Sequence, residues 1–371
     1  MSGTVNAPPA DDLFGLVKTL TELPGPTGQE GIVQEWIAAR WGRFAQETQR
    51  TSVDNVLAKV GGSGPRLLLL AHADEVCLLV KSIHDDGFLH LWPYYADTLG
   101  KPPGWFIPIN QAALILADPG MIEGVIATAS GHVVGGQRGK KEGFEWNDWF
   151  VDAGFSSRAE AEAAGIHPGC RVIWNPPTRR LGRSRIVGKA MDDRVALAIA
   201  TLAGESLAGR EDLAYEVWLG SAVQEENGLI GASSMADEMR FDRCLAIDVG
   251  LTGDIPGPDA RDFPSKLGAG PILVYKDSSC HYSPALTGEL AALAQREGLP
   301  LQRAIFTNYG SDGAAMLRRG VETALLTYPT RYTHSPIETV DEADVRACVD
   351  LIVAFAVESR GLRVHQGSDL V

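Results

Sequence analysis

Short apolar runs that end directly in ionisable side chains constrain the fold of this chain more than any other feature of its sequence. In the clearest case, residues 67–71 are apolar and are followed by His72 and Asp74. Apolar runs of this length, bounded by turn residues, are typical of strands buried in a sheet. Ligands of open α/β sheets bind at the carboxyl ends of the strands, so the pattern predicts a polar site at one edge of such a sheet.

Helical patterns alternate with further apolar runs on either side of a long middle segment. Residues 10–75 contain two amphipathic helical stretches and a second strand at residues 55–60. Between the two helices, Thr27 is followed three residues later by Glu30, which predicts a capping box. From residue 187 onward, helical patterns separate predicted strands at residues 215–219, 244–248, 272–275 and 323–327. Such alternation is typical of an α/β fold with an open sheet.

The composition changes between residues 77 and 186. This segment is rich in Gly and Pro and contains short β-like runs such as residues 125–128. It also holds five of the eight tryptophans: Trp92, Trp105, Trp146, Trp149 and Trp174. We therefore expect an inserted, mostly β domain at residues 77–186, with residues 1–76 and 187–371 forming the two parts of the α/β domain.

Composition and charge exclude several classes of protein. Hydrophobic residues make up 45% of the 371 residues and charged residues 22%, as in soluble globular proteins. The formal charge of −14 would repel a phosphate backbone, which argues against a nucleic-acid partner. Because the sequence has neither an apolar run of about 18 residues nor a signal-peptide pattern, we expect a cytoplasmic protein without a membrane span. The five cysteines include no C-x-x-C pair, so no disulfide framework is expected.

The side chains after the apolar runs are of types that bind metal ions. Residues two apart in a strand share a face, so His72 can bind a metal while Asp74 accepts the other N–H of its imidazole. Asp192 follows a predicted strand at residues 185–187 and can bridge two cations through its two oxygens. Asp193 then remains to cap the next helix. Each observation alone also fits an ordinary loop or a helix cap.

Two further segments complete this set of side chains. Glu225 and Glu226 close an apolar run, where one glutamate can bind metal while its neighbour accepts a proton from water. Asp248 ends the predicted strand at residues 244–248, His334 follows the predicted strand at residues 323–327, and the two add a carboxylate and an imidazole. Taken singly, the glutamate pair fits a solvated surface, and the histidine fits a hydrogen-bonded surface or core residue. Together these positions predict a two-metal hydrolase site.

The same residues carry a resemblance to a known family. The chain resembles the tetrahedral or glutamyl (deblocking) aminopeptidases, two-metal metallopeptidases that act on peptide N-termini. The resemblance runs nearly from end to end and rests on segments in one order: residues 24–30, His72-Ala73-Asp74-Glu75, residues 150–154 and 188–194, Gln224-Glu225-Glu226, Asp248 and residues 331–336.

The resemblance implies a fold, a ligand set and a mechanism. The fold would be a mixed sheet flanked by helices, with a small PDZ-like or β-barrel insert. Two divalent metals would share Asp192, with His72 and Asp248 completing one ligand set and Glu226 and His334 the other. Glu225 would be the general base for a water that bridges the two metals, and Asp74 would stand behind His72. Zinc suits these ligands best, and cobalt or manganese would also fit.

Substrates and partners also follow from the resemblance. Peptides with a free N-terminus would be cleaved at their first peptide bond. Asp312 would face the substrate, although residues 309–313 differ from the Gly-Gly-Thr-Asp-like run expected there. The insert would mediate dimerisation within a homododecamer built from dimers. Its aromatic residues at 89–95 and 105–106 would line a subunit interface or the insert's own core.

Two other classes of protein share part of this pattern. A two-metal carboxypeptidase or aminoacylase of the same clan would use much of the same ligand set. A catalytically silent assembly scaffold would have lost the general base, whereas Glu225 is intact. The order of the motifs favours the aminopeptidase.

Overall fold

Helices and strands alternate along most of the chain. The computed structural model describes residues 13–93, 110–134 and 146–358. The strands are β1 (Glu47–Arg50), β2 (Val56–Gly61), β3 (Arg66–His72), β4 (Leu78–Ile83), β5 (Leu89–Pro93), β6 (Ala112–Ala117), β7 (Gly120–Ala127), β8 (Phe150–Asp152), β9 (Arg171–Trp174), β10 (Arg179–Leu181), β11 (Arg185–Gly188), β12 (Glu216–Ala222), β13 (Arg243–Leu251), β14 (Ile272–Lys276), β15 (Gln302–Ile305), β16 (Glu322–Thr330) and β17 (Glu338–Asp341). The helices are α1 (Leu13–Glu22), α2 (Gly31–Trp41), α3 (Gly131–Val134), α4 (Arg158–Ala163), α5 (Met191–Leu207), α6 (Ile230–Glu238), α7 (Pro284–Glu297), α8 (Asp312–Arg318) and α9 (Glu342–Glu358), with a 3₁₀ turn at Trp146–Asp148.

Eight strands form a mixed sheet in the order β1-β2-β12-β3-β13-β16-β14-β15. The four central strands, β12, β3, β13 and β16, run parallel to one another. On either side, β2 and β14 run antiparallel to their central neighbours. The carboxyl ends of the central strands therefore meet at one edge of the sheet. The predicted α/β fold with a mixed sheet is confirmed.

Both faces of this sheet are buried, which explains the continuous apolar runs in the sequence. Along β3, Leu67, Leu69 and Ala71 pack in one core together with side chains of α1, α5 and α9. Leu68 and Leu70 pack in a second core together with side chains of α6 and α8. Successive side chains of a strand point to opposite faces, so a strand covered on both faces must be apolar at every position.

A barrel interrupts the α/β fold after β3. Six strands between Leu78 and Trp174 close in the order β4-β5-β8-β7-β6-β9. Trp146, Trp149 and Trp174 lie in the barrel core, which accounts for the high tryptophan content of this segment. Beyond the barrel, β10 and β11 join β17 in a separate three-stranded sheet. The predicted small β insert is confirmed as a closed barrel, while the domain limits at residues 77 and 186 stay a prediction.

Part of the aromatic stretch of the insert lies in the barrel's own core. Leu89 and Leu91 are buried there, and the partly buried Trp92 packs against them and their neighbours. The other aromatic residues of this stretch lie outside the described residues: Tyr94, Tyr95, Trp105 and Phe106. For the described part, the contacts are those of a domain core.

The state of the cysteines and the character of the helices bear on two further expectations. All five cysteines are free, and four of them are buried. Across residues 13–93, 110–134 and 146–358, no helix has both the length and the apolar character that a membrane span requires.

Two local predictions from the sequence are wrong. Thr27 does not form a capping box, because α2 begins at Gly31 and the Thr27 hydroxyl donates instead to Asp74 Oδ2 at 3.0 Å. Asp248 does not end its strand, because β13 continues to Leu251. The contact between Thr27 and Asp74 brings the loop between α1 and α2 to the carboxyl end of β3.

A buried ion triad joins the end of β3 to the start of α5. The carboxylate of Glu75 lies 2.7 Å from Nζ of Lys189 and 3.4 Å from Nη2 of Arg194, and no side chain of the three is more than 3% exposed. The Arg194 guanidinium also donates to four backbone carbonyl oxygens. These contacts offset the cost of removing three charges from water.

Glu75→Gln is expected to lower the free energy of unfolding by about 3–5 kcal/mol, because two buried cations would lose their carboxylate partner. Urea denaturation of the metal-free protein measures this change. The matched control is Asp212→Asn, which breaks an exposed pair with Arg210 and should cost less than about 1 kcal/mol. Equal losses for the two variants would contradict a stabilising role for the triad.

Candidate metal centre

His72 and Asp74 stand two residues apart at the carboxyl end of β3. Nδ1 of His72 lies 3.3 Å from Oδ1 of Asp74, and both side chains are buried. Such a contact orients an imidazole and increases the basicity of its other nitrogen. The Asp74 carboxylate also accepts the backbone N–H groups of Glu225 at 2.9 Å and Glu226 at 3.2 Å, and the Thr27 hydroxyl at 3.0 Å. Asp74 therefore joins β3 to the segment that follows β12.

Asp192 lies between two histidines from distant parts of the chain. Its Oδ1 is 3.2 Å from Nε2 of His72, and its Oδ2 is 3.3 Å from Nε2 of His334. The same His334 nitrogen is 3.3 Å from Oε1 of Glu226. A carboxylate with one oxygen beside each of two imidazoles has the arrangement of a bridging ligand.

These separations fit side chains that share a cation. Zinc binds imidazole nitrogen and carboxylate oxygen at about 2.0–2.2 Å with tetrahedral geometry, which sets two ligand atoms about 3.4 Å apart. Ligand atoms of His72, Asp192 and Glu226 all lie within 4.8 Å of one another, as do those of His72, Asp193 and Asp248. The donor set, imidazole and carboxylate in two overlapping groups, suits two divalent cations.

Asp193 and Asp248 differ in the donors that they face. Oδ2 of Asp193 accepts the backbone N–H of His72 at 3.1 Å, and its Oδ1 accepts the Tyr328 hydroxyl at 2.7 Å. Asp193 thus makes tertiary contacts, and the expectation that it caps α5 is wrong. Asp248 accepts the N–H of its neighbour Val249 at 2.6 Å. Burial raises the pKa of both aspartates well above the usual range, so a nearby cation would favour their charged forms.

Glu225 lies beside the same group of candidate metal ligands. Its Oε2 lies 3.9 Å from Nε2 of His72, and the residue is 8% exposed. Burial raises the pKa of this carboxyl well above its usual range, and the charges of Glu226 and Asp248 act in the same direction. A carboxyl tuned in this way can take up a proton and return it, as a general base does.

The carboxylates raise the pKa of both histidines. Burial alone would lower the pKa of His72, but its hydrogen bonds to Asp192 and Asp74 raise it well above the usual value. For His334, burial is likewise outweighed by the charge of Glu226 and the contacts with Asp192, so its pKa is also raised. The pKa of Asp192 is low because hydrogen bonds from both histidines outweigh its burial.

Asp312 is the first residue of α8, and its charge acts on the side chains of the candidate metal centre. Ser311 caps this helix by accepting the N–H of Gly313. Both carboxylate oxygens of Asp312 are buried and have no hydrogen-bond partner among the described residues. Burial raises its pKa to about 7, with a further contribution from the charges of Asp74 and Glu226. A buried carboxyl without a partner requires an explanation beyond packing.

Some residues that support the cluster do not stand out in the sequence. Glu338 in β17 accepts the N–H of His334 at 2.6 Å and that of Asp192 at 3.1 Å, and burial raises its pKa to about 8. Its spacing, four residues after His334, is a signal that could have identified it. Tyr328 reaches Asp193 across 135 sequence positions, and no local pattern marks that contact.

Comparisons with known proteins find relatives that match most of the chain. Residues 54–351 match the family model of the M42 glutamyl aminopeptidases. The lysyl aminopeptidase of Pyrococcus furiosus is 29% identical over 350 residues, which cover 92% of this chain and 96% of that protein. The glutamyl aminopeptidase of Lactococcus lactis is 28% identical over 339 residues, which cover 87% of this chain and 90% of that protein.

A solved structure shares the fold over almost the whole chain. The Pyrococcus horikoshii TET1 peptidase, described as able to assemble into a tetrahedron or a large octahedral shell, matches with a TM-score of 0.82 at 26% identity. The match covers 94% of this chain and 100% of that chain. The resemblance drawn from the motifs is confirmed, and with it the prediction of a peptidase. The chain belongs to the M42 glutamyl aminopeptidase family.

Proposed function

We propose that this protein removes the N-terminal residue of peptides by means of two divalent cations held at the carboxyl end of its central sheet. The observation that carries the proposal is the position of Asp192, whose two oxygens lie 3.2 Å and 3.3 Å from the Nε2 atoms of His72 and His334. In two-metal hydrolases the cations lie about 3.5–4 Å apart, and a shared carboxylate suits that spacing.

Five residues would hold the cations, with His72, Asp192 and Asp248 binding one and Asp192, Glu226 and His334 binding the other. The contacts of both histidines with Asp192, and of His334 with Glu226, support this division. Asp248 belongs to the other group of neighbouring ligand atoms, which it forms with His72 and Asp193. We leave Asp193 out of the ligand set because both of its oxygens already accept hydrogen bonds.

Glu225 would be the general base, with Asp74 orienting His72. When bound, the cations would polarise the scissile carbonyl and lower the pKa of a water held between them. Glu225 would accept the proton of the attacking water and deliver it to the leaving amine. Its pKa, raised by burial, suits this exchange. The hydrogen bond from the Glu225 backbone N–H to Asp74 holds the base in place at 2.9 Å.

The substrates would be peptides with a free N-terminus. An α-amino group held near the cations would restrict attack to the first peptide bond. We propose that Asp312 faces the substrate. Its buried carboxylate has no hydrogen-bond partner among the described residues, and the charge of Glu226 contributes to raising its pKa. Relatives in the family are named for different N-terminal residues, lysyl and glutamyl.

Metal identity and assembly are further parts of the proposal. Zinc suits imidazole and carboxylate ligands best, and cobalt or manganese would also fit. The barrel would mediate dimerisation within a homododecamer, as the resemblance to the tetrahedral aminopeptidases implies, and the Pyrococcus horikoshii relative is described as able to assemble into a tetrahedron or a large octahedral shell. Residues 1–76 and 187–371 would form the catalytic domain and residues 77–186 the dimerisation insert of a cytoplasmic enzyme.

Aminoacyl-p-nitroanilides with a free or an acetylated amine test this function. After chelation, activity is measured with and without added Zn²⁺, Co²⁺ or Mn²⁺. We expect metal-dependent release from the free-amine substrates alone, because the amine is part of what the site recognises. Release of p-nitroaniline from the acetylated substrates alone would contradict the proposal, whereas removal of the acetyl group without release of p-nitroaniline would favour an aminoacylase of the same clan.

A further inference from the structure

Side chains from the first part of the chain bind the backbone of the segment that carries the proposed base. Four consecutive N–H groups each donate to a buried side chain: Val223 to Oδ1 of Asn55 at 3.1 Å, Gln224 to Oε1 of Glu30 at 3.1 Å, and Glu225 and Glu226 to Asp74 at 2.9 Å and 3.2 Å. A buried N–H group must find an acceptor. This segment finds its acceptors in side chains, so its position depends on them.

Glu30 occupies a critical place in this arrangement. It is 5% exposed, and the same carboxylate oxygen accepts the N–H of Gly28 at 2.6 Å and that of Gln224 at 3.1 Å. Gln224 has a φ of 51°, in the left-handed region that residues with a side chain rarely adopt. The contact with Glu30 therefore holds the chain in an unfavourable turn immediately before Glu225.

The loop that carries Glu30 also reaches the base through a second contact. Thr27, which is 6% exposed, donates its hydroxyl to Asp74 Oδ2 at 3.0 Å. Asp74 in turn accepts the N–H of Glu225 at 2.9 Å. The loop between α1 and α2 thus fixes the backbone on both sides of the peptide bond that links Gln224 to Glu225.

We infer that Glu30 is a positioning residue for Glu225, which it places by holding the backbone N–H of Gln224. The inference rests on the proposed function, in which Glu225 moves the proton. Removal of this carboxyl group would leave the N–H of Gln224 without its acceptor. Displacement of a catalytic group by about 1 Å can reduce the rate about 10²-fold.

Two substitutions of Glu30 and one of Glu35 test the inference on the full-length protein loaded with zinc. Glu30→Ala should lower kcat about 10²-fold, with KM and bound metal unchanged, because only the base is displaced. Glu30→Gln keeps an oxygen that accepts both N–H groups and should restore most of the rate. The matched control is Glu35→Ala, which removes an exposed glutamate of α2 and should leave kcat unchanged.

Hydrogen exchange gives a second readout that needs no turnover. In the metal-free protein, the amides of residues 223–226 should exchange faster in Glu30→Ala than in the wild type, Glu30→Gln or Glu35→Ala. If the wild type hydrolyses no aminoacyl substrate, the proposed function fails. The exchange measurement still shows whether Glu30 fixes the backbone of residues 223–226.

Two results would overturn the inference. One is a Glu30→Ala variant whose kcat and amide exchange both equal those of the wild type. The other is a loss of activity that comes with loss of bound metal or with a lower unfolding temperature and that Glu30→Gln does not rescue. That combination would mean that Glu30 maintains the fold rather than the position of the base.

Discussion

Turnover should fall by about 10²–10⁴-fold when Glu225 is replaced by Gln, while the amount of bound metal stays the same. The amide of glutamine cannot accept the proton of the attacking water, yet it has nearly the shape of the glutamate. Glu225 is outside the proposed ligand set, and its backbone N–H would keep its hydrogen bond to Asp74. Steady-state hydrolysis and metal analysis of the same sample measure both effects.

The adjacent Glu226 provides a matched contrast. Glu226→Gln should weaken the binding of one cation, because its Oε1 lies 3.3 Å from Nε2 of His334 in the proposed ligand set. A fully active Glu225→Gln variant would remove Glu225 from its role as base. Loss of metal from Glu225→Gln together with retention by Glu226→Gln would reverse the two assignments.

Asp192→Ala is expected to weaken the binding of both cations. Loss of a residue that only supports a ligand typically costs about 10–100-fold in metal affinity, and loss of a ligand shared by two cations should exceed that figure. Asp248→Ala should affect one cation, because Asp248 belongs to a single proposed set. Isothermal titration of the chelated proteins with Zn²⁺ measures both affinities.

The control for this series is Asp262→Ala, which removes an exposed aspartate. It should leave both binding events unchanged. If Asp192→Ala still binds two cations as tightly as the wild type, the shared-ligand arrangement is wrong.

The central sheet could be predicted because its strands are buried on both faces. The run of four leucines in β3 is fully buried, and burial on two faces requires such a run. By contrast, β1 reads Glu-Thr-Gln-Arg and is at least partly exposed along its whole length, so it carries no apolar signal. The pairing of β11 with β17 joins residues more than 140 positions apart, which no local pattern can indicate.

The candidate site could be predicted as a set of side-chain types but not as a set of contacts. His72, Asp192 and Glu226 follow apolar strands, and the structure brings them together. The roles of the supporting residues depend on tertiary contacts instead. Asp193 has the position of a helix cap in the sequence, yet Tyr328 and the backbone of His72 decide where its carboxylate points. Thr27 likewise makes a tertiary contact, because its hydroxyl donates to Asp74 rather than capping α2.

A metal titration of the chelated protein, with a free-amine p-nitroanilide present, tests the central claim most directly. Our account predicts that two cations bind per chain and that hydrolysis appears as they bind. It also predicts that Asp192→Ala shows no hydrolysis at the metal concentration that saturates the wild type. Hydrolysis by wild-type protein that holds no metal, or undiminished hydrolysis by Asp192→Ala, would contradict it.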